Sequence, residues 1–174
     1  MPQQVIFQAQ LILGYVACGL VFGTYILPKL KSMDSFNAHR VIATIHSFRF
    51  FGLVFMLPGI VGPGLPAGFA TYAAYGDFVT GVLAILSLLT ARIRPVFWTF
   101  VVAFNVVGIG DLFVAYYHAM QFGLPLVAGQ LGLMYIITIL YVPMLMIMHW
   151  AALYRLVRPQ PKAVPRLASN AIAS

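Results

Sequence analysis

The chain has 174 residues, of which 62% are hydrophobic and 7% charged, with a formal net charge of +7. Soluble domains are about 45–50% apolar and about 25% charged, so a water-soluble globule is excluded, and the apolar mass equally excludes a disordered chain. The positive balance does not signify nucleic acid, because the basic residues lie in separate short segments between apolar runs.

A helix crossing a bilayer core roughly 30 Å thick takes about 20 apolar residues. Five runs of that kind, 5–27, 38–61, 69–91, 96–120 and 129–156, predict an all-α membrane protein, a bundle of five transmembrane helices. The runs are continuous, without the period of 2 that a membrane barrel requires. Residues 1–158 form the bundle, and 159–174 are a basic, proline-containing cytoplasmic tail whose composition predicts disorder.

No basic residue precedes the first run, unlike a cleaved leader, which predicts a retained helix. Gly19 and Gly23 have the GxxxG spacing that lets membrane helices approach closely, with Gly14 and Cys18 on nearby faces. Cys18 is the single cysteine, which excludes an intramolecular disulfide and makes it a packing residue. Lys29, Lys31 and Arg40 bracket the first connection. Arg92 and Arg94 lie in the third, and Arg155, Arg158, Lys162 and Arg166 follow the last run. The connections at 62–68 and 121–128 carry no charge. Positive charge stays on the cytoplasmic side, so the N-terminus is predicted outside and the C-terminus inside. Anionic lipid headgroups are the expected partner of the basic face.

In the second run His39 sits at the inner boundary as an expected solvated residue, and His46 lies one turn from Arg49 on one face. The third run carries Asp77, Thr80, Ala84, Ser87 and Ala91 on one stripe. The fourth carries Gly108, Asp111, Ala115 and His118, with Asn105 at the edge. Tyr72, Tyr75, Tyr116 and Tyr117 read as an interfacial aromatic belt. Pro143 predicts a kink in the fifth run, where Met144, Met146 and Met148 read as apolar filling.

A charge at a helix centre costs roughly 2.5–3.5 kcal/mol on insertion scales, so buried charges should find one another. At a rise of about 1.5 Å per residue, Asp77 lies about 12 Å, Asp111 about 13 Å and Arg49 about 18 Å below the outer surface. The steps Gly76-Asp77 and Gly110-Asp111 therefore meet at similar depth, within reach of the Arg49 side chain. Two carboxylates against one guanidinium leave one surplus negative charge. Arg49, Asp77 and Asp111, with His46, Asn105 and His118 nearby, make a candidate site for a proton, cation or small polar ligand, or a clamp joining three helices. His118, two turns above Asp111, is placed to relay protons. Two other classes remain open: a redox protein with haem b held by His46 and His149, which lie at similar depth, and a non-catalytic subunit of a larger membrane complex or a homo-oligomer. No HExxH, CxxC, GxSxG or phosphate-loop pattern gives soluble-enzyme chemistry a foothold.

The segments GLVFMLPGIVGPGLPAGFATYAAYGDFVTGVLAIL and FNVVGIGDLFVAYYH resemble a group of small polytopic bacterial inner-membrane proteins of uncharacterised activity, over residues 38–118. The resemblance implies a bacterial inner-membrane setting and a compact bundle, and it brings no activity and no site residues.

Overall fold

The computed structural model describes residues 1–158, so the predicted tail at 159–174 lies outside the described residues. Among the described residues four helices are long and apolar enough to cross a membrane: α1 (Gln3–Ser32), α3 (Ala67–Leu89), α4 (Arg94–Gln121) and α5 (Met134–Val157). Between α1 and α3 the chain forms a shorter helix, α2 (Ser35–Ser47), that passes directly into a 3-10 segment, Phe48–Met56. The predicted second span is thus not one α-helix. Hydropathy cannot separate an α-helix from its tighter relative, and nine residues is long for a 3-10 run, which seldom exceeds 3–4 residues. The start of the fifth span also moves. Leu124–Leu131 is a second 3-10 segment, and Gly132 at φ 54° turns the chain before α5 begins at Met134.

Local chemistry explains these boundaries. Asp34 caps α2 by accepting from the Asn37 backbone N–H at 3.0 Å. That hydrogen bond holds the Asp34 carboxyl below its usual pKa range. Both π-helical turns, Phe22–Ile26 in α1 and Ile137–Tyr141 in α5, lie just ahead of a proline, Pro28 and Pro143. A proline removes the N–H that would bond the carbonyl four residues back, and the widened turn absorbs the loss. In α5 the affected carbonyl belongs to Ile139. Gly14 of α1 sits so close to it that any Cβ there would collide with the Ile139 oxygen, and the Cys18 thiol donates to the next carbonyl, Leu140, at 3.4 Å. Pro143 therefore marks a packed junction of α1 with α5.

The elements alternate in direction. At one end Gly62 N–H donates to Gln130 O at 2.7 Å, the Gly64 N–H donates to Gln130 Oε1 at 3.0 Å, and the Gln3 side-chain amide bonds Leu126 O. At the other end Arg155 donates to Met33 O at 3.1 Å, and Arg94 lies over the Phe36 ring. Lys29, Lys31, Arg40, Arg92 and Arg158 belong to this second end. Apolar residues buried near it include Leu30, Ile42, Phe97, Phe104 and Met148, while Phe7, Phe55, Phe69, Leu124 and Leu131 pack the first end.

Three sequence expectations change. Gly19 and Gly23 meet nothing within 4 Å, so the close approach on α1 belongs to Gly14. His39 is buried: Nδ1 bonds Ser35 O at 2.7 Å, Nε2 reaches Ala152 O at 3.4 Å, and Trp98 meets its ring edge-on. Tyr72, Tyr75 and Tyr117 are exposed as a belt requires, but Tyr116 turns inward to a 2.6 Å hydrogen bond with Tyr15 of α1.

The backbone of the 3-10 segment meets α3 at Gly81, where a Cβ would stand 2.8 Å from Phe50 N and 3.4 Å from Arg49 C. Gly81→Val should therefore destabilise the fold by about 1–3 kcal/mol through overpacking, read as a lower melting temperature in detergent. Gly19→Val, with open space around it, should leave the melting temperature within about 2 °C of wild type.

Candidate functional site

Arg49 is the second residue of the 3-10 segment and is 1% exposed. Its side chain spans three other helices. Nε donates to Asp77 Oδ1 of α3 at 2.6 Å, and Nη2 to Asp111 Oδ2 of α4 at 2.5 Å. Nη1 donates to Gly108 O of α4 at 3.2 Å and to His149 Nε2 of α5 at 3.1 Å. Four of the five guanidinium N–H groups are thereby placed. A guanidinium has no acceptor, so His149 Nε2 must accept. Nδ1 then carries the proton and donates to Asn105 Oδ1 at 3.0 Å, while Asn105 Nδ2 donates to Val101 O at 2.8 Å. The network runs Asp77–Arg49–His149–Asn105, with Asp111 on the same guanidinium.

Close helix approach makes this geometry attainable. At Gly76 of α3 any Cβ would overlap the Asp111 carboxylate, and at Gly108 a Cβ would stand 2.6 Å from the His149 ring. Gly110, which the sequence pairs with Gly76, meets nothing within 4 Å. The glycine that matters on α4 is thus Gly108, two residues earlier and on the face toward His149.

Arg49 engages one oxygen of each carboxylate, leaving Asp77 Oδ2 and Asp111 Oδ1 outside the ion pairs. Asp77 and Asp111 line a cavity of about 130 Å³ between α1, α3, α4 and α5 that also touches Phe55 and Pro125 of the two 3-10 segments. Asp111 also lines a surface groove between α3 and α4, beside Tyr75, Gly76 and Val107. The Asp111 side chain therefore borders both the interhelical cavity and the α3–α4 groove.

The other expected site residues divide. Asn105 joins the cluster through His149. His46 is fully buried with neither ring nitrogen bonded, and its ring lies on that of His149 at 3.9 Å between centroids and 32° between planes. This pair does not fit axial haem ligation. The rings lie against each other with no space for a macrocycle between them, and both nitrogens of His149 are already engaged. His118 is separate from the cluster: it stacks on Tyr72 at 4.4 Å and on Phe122 at 5.6 Å. The hydrogen bonds of His149 to Arg49 and Asn105 were missed in the sequence, although its depth, close to that of His46, was a usable signal.

Long apolar helices around a buried charge cluster are compatible with a polytopic helical membrane protein. The chain belongs to the family described as Domain of unknown function (DUF8737), whose model matches residues 6–157 and so takes in every residue of the cluster. No curated protein and no solved structure matches the chain.

Removing one partner of a buried ion pair costs about 3–5 kcal/mol, because the other charge is left uncompensated. Arg49→Met should therefore give little folded protein by size-exclusion chromatography in detergent. Arg49→Lys should rescue it only in part, since one ammonium cannot meet three helices from the positions of a planar fork.

Proposed function

We propose that this protein is a five-crossing integral membrane protein of the bacterial inner membrane that takes up a proton, cation or small polar ligand at Asp77 and Asp111 and carries it across part of the bilayer. One observation carries the reading: each carboxylate keeps an oxygen outside the Arg49 pairs, and both residues line a cavity. With His149 accepting from Arg49 as a neutral ring, the cluster has a formal surplus of one negative charge. A single proton or monovalent cation neutralises it. Asp111 is the exchanging group, because it faces both the interhelical cavity and the α3–α4 groove. Intramembrane ionisable groups commonly mark ion and proton paths.

The fifth crossing in this reading is α2 with its 3-10 continuation. Thirteen α-helical residues cover about 20 Å and nine 3-10 residues about 18 Å, together more than a bilayer core. The end of the bundle rich in lysine and arginine faces the cytoplasm and anionic lipids, placing the N-terminus outside and the C-terminus inside.

Two experiments test the proposal. In liposomes with an entrapped pH-sensitive dye and an imposed potential, the wild type should take up protons faster than empty vesicles, and Asp111→Asn should slow that uptake about tenfold, the ratio that 1.4 kcal/mol represents. Uptake equal to empty vesicles, or unchanged in both Asp77→Asn and Asp111→Asn, would leave the cluster a structural clamp. Reporter fusions after Ala67 and after Pro159 should report outside and cytoplasm respectively, and the reverse result overturns the orientation.

A further inference from the structure

The walls of the cavity say more about its occupant than the carboxylates alone. Above Asp77 and Asp111 the lining is carbon: Phe7, Phe55, Phe69 and Tyr116 supply aromatic rings from four elements of the bundle. A metal cation with a hard charge requires several oxygen ligands, and this wall has few to offer. Among the described residues no group of three or more His, Cys, Asp or Glu is placed to hold a metal ion. A hydrated ion would lose its water against phenylalanine without replacement. The volume, about 130 Å³, is close to the roughly 150 Å³ of an apolar cavity that admits benzene.

From this combination we infer that the cavity is a binding site for a small apolar monocation, a protonated amine with a body about the size of a benzene ring. The inference rests on the reading of Asp77 and Asp111 as a binding site and narrows it to a ligand class. The ammonium group lies at the Asp77 and Asp111 carboxyls where they line the cavity and supplies the one positive charge that the cluster lacks. The apolar body fills the cavity above, where aromatic faces also attract the cation. The rim includes exposed Gln8 of α1 and Met120 of α4. Here α1 and α4 are joined lower down by the Tyr15–Tyr116 hydrogen bond, which leaves the gap above it as the way in.

The test compares a cation with its neutral isostere on purified protein in detergent at pH 7. Benzylammonium chloride should bind saturably by calorimetry and raise the melting temperature, and benzyl alcohol should bind about tenfold more weakly. Sodium chloride at the same ionic strength should not compete. Asp111→Asn should erase the preference for the cation, and Ala115→Phe, which fills the cavity, should remove binding of both compounds. Equal binding of benzyl alcohol, or no saturable binding of benzylammonium, overturns the inference from the wild type alone, whether or not the variants fold. Proton uptake in liposomes that persists while benzylammonium fails to bind would reject the amine and leave the proton reading in place.

Discussion

The bundle is organised around one guanidinium that water cannot reach. Between apolar helices in lipid there is little hydrophobic drive to associate, so close packing and polar contacts must hold them. Arg49 supplies the polar contact for three helices at once, and its requirements explain several unrelated-looking choices. The 3-10 segment presses its backbone onto α3 at Gly81. Gly108 gives up its side chain, which makes room for the His149 ring, and its carbonyl accepts from Arg49. His149 takes the tautomer that Asn105 fixes. Each of these would be costly or pointless without a buried cation at the centre.

Much of this was legible because antiparallel helices with short connections convert sequence position into depth. Counting residues at a fixed rise was enough to place Asp77 and Asp111 on one level, within reach of the longer Arg49 side chain, and the structure joins them by direct ion pairs. Depth says nothing about azimuth, however, and the errors in placing side chains lie there. His39 was counted to the boundary and expected in water, yet Trp98 and the Ala152 carbonyl enclose it. His46 and His149 were correctly levelled, but only their orientation shows that they stack instead of opposing each other across a plane. Gly110 has the right neighbour in sequence and the wrong side of the helix. Helix type was equally hidden, since a 3-10 turn and an α turn of the same residues have the same hydropathy.

Pro143, read in the sequence as a kink, is preceded in the structure by a widened turn, and α1 seats against the carbonyls there through Gly14 and Cys18. The missing hydrogen bond is thereby absorbed between helices. Cys18, buried and thiol-bearing, fills the space and also donates, which glycine or alanine there would not.

The helix type of the Arg49 segment also sets a length. Nine residues extend about 18 Å as a 3-10 helix but only about 13 Å as an α-helix. The turn that follows is fastened at Gly62 and Gly64 to Gln130. Rewinding the segment to α would draw that turn inward by about 5 Å and swing Arg49 around the axis, away from one carboxylate or the other. The clasp at Gln130 and the charge cluster are thus two ends of one taut strut, and neither can relax without pulling on its opposite.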